Sequence, residues 1–398
     1  MGLFKEVKKP LIRETKTDGE LSSKRPANVE KKAPCIAGCT MSNQVRDWLL
    51  PMAQHVAYGR SRDEAFAVAW NAITVRNPFP AISGRVCQHP CANNCNRKEK
   101  DSPVAVKELE RFVGDYGVSN GLKLARPETA TPPARVAVVG AGPSGLSCAY
   151  RLAQLGYAVT VFDAAPMPGG MMRYHIPRAT LPSETIEYEI NNVLDLGVEF
   201  RGGCAVGRDI STDALMTDYQ AVVYAVGLQR PAQMQVRREG QGAFVSGELP
   251  ADLPEVPVEA TELSRRTLNM VTPAIAQGRR AAEEIDAALQ GKTIPEPVAS
   301  VVIKSDRMKM EWYPKLETHV TAEIQAASAN FSAEDAIAEA ARCMSCGMCM
   351  DCETCWMYCS SNGFLKQPKG QHYKLHLDRC NGCGKCVDAC PCGYLEMQ

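Results

Sequence analysis

Residues 1–33 are rich in Lys and Glu and show no hydrophobic periodicity, which predicts an extended N-terminal arm. From 34 to 126 the spacing becomes helical. Trp48, Leu49, Met52 and Val56 fall on one helical face, and Glu64 to Trp70 and Val104 to Tyr116 continue the pattern. The proline-rich stretch PETATPPAR (127–135) marks a boundary. A β-α-β pattern then runs from Val136 to Asp163. It is followed by a helix over 184–197, strands at Val198–Phe200 and Ala221–Ala225, and a helix at Ala274–Leu289. IPEPVAS (294–300) reads as a second linker, and an alanine-rich helix over 332–342 leads into a cysteine-dense end. These breaks predict an arm (1–33), a helical domain (34–126), an α/β domain (127–292), a linker with a helix (293–342) and a small C-terminal domain (343–398).

Composition narrows the class. A chain of 398 residues accommodates two or three domains. Its 45 basic and 45 acidic residues cancel, so there is no electrostatic footprint for nucleic acid. No apolar run approaches the ~20 residues that span a bilayer. The N-terminus lacks the apolar region of a secretory signal, and Gly2 lacks the following Ser/Thr of a myristoylation site. Eighteen cysteines in a long chain of this kind predict a reducing compartment, the cytoplasm. No nucleophile–base arrangement such as a G-x-S-x-G elbow occurs, so no catalytic residue is assigned.

The cysteines carry the chemistry. Cys349, Cys352, Cys355 and Cys359, then Cys380, Cys383, Cys386 and Cys390, both read C-x2-C-x2-C-x3-C, and Pro391 follows the second run. This is the bacterial ferredoxin spacing, in which the fourth cysteine of each run ligates the other cluster. One [4Fe–4S] cluster is therefore expected on Cys349, Cys352, Cys355 and Cys390, and another on Cys380, Cys383, Cys386 and Cys359. The first run has Ser360 where the trailing proline would stand. A zinc ribbon uses more widely separated C-x2-C pairs and fits less well.

The second motif is Gly140-x-Gly142-x-x-Gly145, which turns the Val136–Val139 strand into a helix. Gly140 allows a tight turn, Gly142 a close approach of a pyrophosphate, and Gly145 close helix–strand packing. Pro143 and Ser144 open the helix whose N-terminus receives the phosphates. Asp163, at the end of the next strand, is placed to accept a ribose hydroxyl.

PMPGGMMRYHIPRATLP (166–182) resembles the flavin-contacting loop of the glutamate synthase small-subunit family, FAD-dependent iron–sulfur oxidoreductases with a cysteine-rich N-terminal domain. The resemblance implies FAD contacts from Gly170, Met171, Ile176 and Pro177, from Val206, and from Ala225 and Gly227 in the Tyr224–Gly227 strand end. It implies further contacts from Gly247 and Glu248, the latter in place of the family's Asp, and from Thr272, Pro273 and Ala274 at a helix start aimed at the flavin. The family inserts a nicotinamide-nucleotide domain between the two halves of its FAD domain. Here only 16 residues separate Gly227 from Phe244, too few for a βαβ unit of about 30.

Cys35, Cys39, Cys87, Cys91 and Cys95 resemble that family's cysteine-rich domain. The likeness implies a cluster on Cys39, Cys87 and Cys91 with Glu110 as its non-cysteine ligand. Ala341–Gly347 resembles the family's N-terminal A-R-C-x-x-C-G but lies far downstream. Cys343 and Cys346 are thus expected to complete a cluster with Cys35 and Cys95, the rival being that they bind zinc or nothing. Cys148, Cys204 and Cys392 remain, the first two read as small buried hydrophobes. His175 is expected to pack beside the flavin, His89 to influence its cluster from outside, the methionines near the clusters to exclude water, and Arg279–Arg280 to form a solvated face.

The expectation is an α/β multidomain protein with an N-terminal α-helical Fe–S domain, a Rossmann-like FAD domain and a C-terminal α+β bacterial-type ferredoxin domain. It would act as an electron-transfer subunit with one FAD and four [4Fe–4S] clusters, passing electrons to partner redox subunits or ferredoxin-like proteins. A flavin reductase using an external or partner-supplied donor, and a cluster-bearing scaffold without flavin, are the alternatives.

Overall fold

The computed structural model describes residues 21–126, 132–227, 243–245, 260–293 and 301–398. Among these, nine strands form three sheets: β1 (Pro26–Asn28), β2 (Arg135–Val139), β3 (Ala158–Phe162), β4 (Glu199–Arg201), β5 (Ala221–Tyr224), β6 (Ala243–Val245), β7 (Phe364–Lys366), β8 (Tyr373–Leu375) and β9 (Leu395–Met397). No described helix is long and apolar enough to cross a membrane.

In the helical domain, Ser61 caps the helix Arg62–Thr74 through a reciprocal pair. Its hydroxyl accepts from the Glu64 amide, and its own amide donates to the Glu64 carboxylate. That helix buries Phe66, Ala69, Trp70 and Ile73. The helix Val45–Ala53 buries Trp48, Leu49 and Met52 but stops before Val56, which is 77% exposed and not part of the predicted face. Helices Pro80–Val86 and Val106–Ser119 approach closely because both carry glycine at the contact. A Cβ on Gly84 would stand 2.3 Å from the Arg111 amide nitrogen, and one on Gly114 2.3 Å from that of Ala81.

The central sheet is parallel throughout, in the order β4-β3-β2-β5-β6. The Val-rich strands β2, β3 and β5 are buried along most of their length, as parallel strands covered on both faces require. The helix Pro143–Gln154 packs on the helix Ala260–Leu289 at Gly278, where a Cβ would meet the Ser144 carbonyl at 1.9 Å. Pro273 lies inside that second helix rather than at its start. Packing of Val271, Ile275, Ala282 and Ile285 carries the helix through the proline. The helix start expected at Thr272 is therefore not formed. Arg279 is not solvated either: it donates to the Met41 carbonyl and pairs with Glu283, whereas Arg280 is exposed.

Two parts of the chain expected to be peripheral belong to the C-terminal domain. From the arm, β1 pairs antiparallel with β9, and the Leu21 amide donates to the Asn381 carbonyl at 2.8 Å. From the expected linker, Ile303, Met308 and Tyr313 form an apolar cluster with Met344 and Met350, joined by Leu50 of the helical domain. Met344 and Met350 are buried in this cluster, whereas Met348 and Met357, also expected to exclude water, are half-buried. A charged network, Arg97–Asp101–Arg342–Glu339, seals the helix Ala333–Ala340 onto the helical domain. Across a second junction, Glu189 of the α/β domain accepts from the amides of Ala81 and Ile82 at 2.6 and 2.9 Å. It thereby caps the helix Pro80–Val86, which has no side-chain cap of its own.

Candidate functional site

The glycine turn after β2 opens a cleft of about 540 Å³, within the size range of small-molecule sites. Gly140 has φ +111°, and a Cβ there would meet the Ala225 carbonyl at 2.3 Å. A Cβ on Gly145 would fall 1.8 Å from the Gly140 carbonyl, so this glycine packs beneath the cleft rather than lining it. At Gly142 a Cβ would meet no protein atom within 4 Å, because the space beyond it is the cleft. That open approach, at the N-terminus of a 12-residue helix, suits a pyrophosphate. The Asp163 carboxylate accepts from the Ala141 amide at 2.6 Å and the Ala165 amide at 2.8 Å, so it holds the turn as well as facing the cleft.

Of the other expected contacts, Pro143, Ser144, Gly170, Met171, Val206, Ala225, Gly227 and Ala274 line the cleft. Ile176 is buried beside it, and Ile176, Pro177, Thr272 and Pro273 are not among the lining residues. Gly247 and Glu248 lie outside the described residues. His175 lines the cleft as expected. Cys204, read as a buried hydrophobe, lines it as well, whereas Cys148 is buried. Phe162 at the end of β3, and Tyr174 and Val271 on helices, also wall the cleft, and no sequence motif singled them out.

The sixteen predicted metal-ligating residues gather into four quartets. In the first, burial raises the thiols of Cys39, Cys87 and Cys91, and the nearby charges of Glu110 and of one another add to it, with Cys87 pushed up to about 11. Burial likewise raises the Glu110 carboxyl to about 7, and its Oε1 accepts from Asn77 Nδ2 and Ser83 Oγ, each at 2.9 Å. In the second quartet burial raises Cys35, Cys343 and Cys346, and the neighbouring thiols, Cys95 among them, raise them further.

The third quartet, Cys349, Cys352, Cys355 and Cys390, lines one cavity together with Cys392. Burial and neighbouring thiols raise Cys349 to about 12. Cys390 is lowered to about 6, first by its hydrogen bond from Cys392. The fourth, Cys359, Cys380, Cys383 and Cys386, lines a second cavity, and burial raises Cys386 to about 12. Four buried thiols facing each other cannot all ionise without a cation between them. A bound metal cluster removes that cost.

Hydrogen-bond donors already point at the sulfurs. Backbone amides of Asn43, His89, Asp351, Gly363 and Gly382 donate to Cys39, Cys87, Cys349, Cys359 and Cys380 at 3.1–3.4 Å. The Thr354 hydroxyl donates to Cys352 at 3.2 Å. His89 therefore acts on Cys87 through its amide, while its ring lies against the Gln88 carbonyl. Asp351, unforeseen in the sequence, accepts from the Gly370 amide and bonds His372 Nδ1, both at 2.9 Å, with Cys349 Sγ 3.7 Å away.

The cleft and the first three quartets form a series. The Thr272 side chain lies against Cys87 and opposes the rise of its thiol, while Val271 and Ala274 on the same turn of helix wall the cleft. Cys35 of the second quartet lies within electrostatic reach of Cys91 of the first. Buried Tyr313, which donates to the Met344 carbonyl at 2.8 Å, lies within reach of both Cys346 and Cys352.

Known proteins match three regions of the chain. Residues 3–122 match the family described as dihydropyrimidine dehydrogenase domain II, 4Fe-4S cluster. Residues 138–198 match a NAD(P)-binding Rossmann-like domain, and 373–393 a 4Fe-4S binding domain. The chain is 37% identical over 238 residues to the NADP(+)-dependent formate dehydrogenase subunit beta of Moorella thermoacetica, covering 54% of this chain and 32% of that one. It is 32% identical over 236 residues to the NADPH-Fe(3+) oxidoreductase subunit beta of Geobacter sulfurreducens, covering 56% of this chain and 33% of the relative. It is 35% identical over 193 residues to the glutamate synthase [NADPH] small chain of Mycobacterium tuberculosis, covering 48% and 38%. The chain thus spans about a third of the length of the curated relatives it matches. It is an iron–sulfur chain with a Rossmann-like nucleotide module.

Proposed function

Given a chain that shares its cysteine-rich helical domain and Rossmann-like module with the glutamate synthase small-chain-like oxidoreductases and adds a 4Fe–4S ferredoxin, we propose that it is an electron-transfer subunit of a larger oxidoreductase. It holds one FAD and four [4Fe–4S] clusters and exchanges electrons with partner redox subunits. The observation that carries this reading is one helix turn, which walls the cleft with Val271 and Ala274 and sets Thr272 against Cys87 of the first quartet.

Bound in the cleft, FAD supplies the exchange between paired and single electrons, and clusters carry electrons singly. The protein's residues do the rest. Gly142 leaves room for the pyrophosphate, the helix Pro143–Gln154 directs its N-terminal amides there, and Asp163 fixes the turn. With Oε1 of Glu110 held by Asn77 and Ser83, Oε2 is the oxygen for an iron of the first cluster. Cys35, Cys95, Cys343 and Cys346 hold the second cluster, and the ferredoxin runs hold the third and fourth. Ile303, Met308, Tyr313, Met344 and Met350 form an apolar layer that would exclude water between the cysteines that would hold the second and third clusters.

Anaerobic reconstitution tests the reading. The expected result is about 16 irons per chain, four for each cluster, with FAD as the flavin released on denaturation. An iron content that saturates near 8, or a protein that takes up no flavin, would overturn it.

A further inference from the structure

Four thiolates complete a [4Fe–4S] cluster, yet five cysteines line the cavity of the third quartet. The fifth is Cys392, 2% exposed, with its sulfur 3.8 Å from that of Cys390. The two flank Pro391, and the turn is pinned from both sides. The Gly347 amide donates to the Cys392 carbonyl at 2.7 Å, and the Lys309 amide to that of Pro391 at 3.0 Å. These bonds fix the backbone that carries both cysteines, and the burial of Cys392 confines its sulfur. Ferredoxin spacing makes Cys390 the ligand, so Cys392 is a thiol held against a ligand sulfur.

We propose that Cys392 donates an S–H···S hydrogen bond to the ligand sulfur of Cys390 and thereby raises the reduction potential of the third cluster. The proposal rests on the third quartet being a cluster site. A donor on a ligand sulfur withdraws electron density and stabilises the more negative, reduced cluster. Amide donors occur at the first, third and fourth quartets, so they do not single out any one. A thiol donor from a non-ligand cysteine is described only at the third. Cys392 is a positioning and tuning residue, not a ligand.

The test uses the full chain, reconstituted anaerobically, with Cys392→Ala and Cys392→Ser variants followed by EPR-monitored redox titration and iron analysis. Cys392→Ala is expected to keep the iron content of the unmodified protein and to move one cluster signal to lower potential, leaving the others in place. Cys392→Ser keeps a donor hydroxyl and should restore most of the shift. An unchanged potential in Cys392→Ala overturns the proposal. So does loss of a cluster in that variant, which would make Cys392 a ligand. If the unmodified protein itself lacks the third cluster, the underlying assignment has failed rather than the hydrogen bond alone.

Discussion

Arg342 Nη2 lies 3.0 Å from Asp101 Oδ1, a bond between positions 241 residues apart. The same guanidinium reaches Glu339 at 2.5 Å and the carbonyl of Ser102 at 2.7 Å, with Arg342 1% exposed. Burial alone would raise the Asp101 carboxyl, but the Arg97 guanidinium and the amides of Leu316 and Ser102 outweigh it and hold it well below the usual range. Two cations and two anions balance in a dry junction directly before Cys343.

Breaking that balance is costly. Arg342→Met leaves the buried Glu339 carboxylate without its counter-charge, held only by the Ala105 and His319 amides and the Thr318 hydroxyl, and is expected to destabilise the protein by about 3 kcal/mol. Adding Glu339→Leu should recover part of the loss. Denaturant unfolding of the cluster-loaded protein checks both. Because the folded carboxyl of Asp101 is depressed, its contribution is full above the ordinary aspartate pKa and is lost as pH falls below it. Arg97→Met should flatten that acid-side slope.

Two glycines of one motif should behave differently. Gly142→Val has room in the protein, since a Cβ there meets nothing, but its side chain fills the pyrophosphate's place. The variant should fold, melt at the temperature of the flavin-free unmodified protein and carry a flavin content near zero. Gly145→Ala drives a methyl into the Gly140 carbonyl and should lower the melting temperature itself. Circular dichroism melting and the flavin-to-protein absorbance ratio separate the two outcomes.

Cys343→Ser with Cys346→Ser should remove about four irons, one cluster's worth, and leave both ferredoxin-type signals. It should also make the 301–342 segment sensitive to protease, because a shared cluster ties Cys35 and Cys95 to the far part of the chain. Full iron content with unchanged protease resistance would show that these two cysteines are not ligands.

The isolated chain is expected not to oxidise NADH or NADPH. Only 16 residues separate Gly227 from Phe244, and the sequence has no second G-x-G-x-x-G. Saturable bleaching of the flavin by either nucleotide, without partners, would contradict this.

Much of the site could be read in the sequence because ligand chemistry fixes spacing. The ferredoxin runs name their quartets, and the glycine turn names the mouth of the cleft. The grouping of Cys35 and Cys95 with Cys343 and Cys346 came from the likeness of one short motif, since spacing says nothing about contacts across a whole chain. Other features left no pattern. β1 is three residues long, PAN, inside a Lys-rich stretch, and its pairing with β9 rests on backbone bonds that any side chains permit. Pro273 resembles a helix start because prolines favour that place, and only the packing of its neighbours shows otherwise. Cys392 looked surplus because cysteine arithmetic counts ligands and not the donors beside them.

The second quartet also has a meaning in biosynthetic time. Cys95 leaves the ribosome roughly 250 residues before Cys343, which at the usual pace of synthesis is an interval on the order of 12–50 s. On the proposed assignment, Cys35 and Cys95 would stand throughout it as half a site, with Cys343 and Cys346 not yet made. The helical domain would then not finish as an independent unit, however early it is made. Assembly of this redox chain would have to close backwards, its early domain completed by one of its last segments, and a cell short of iron would accumulate chains open at this seam.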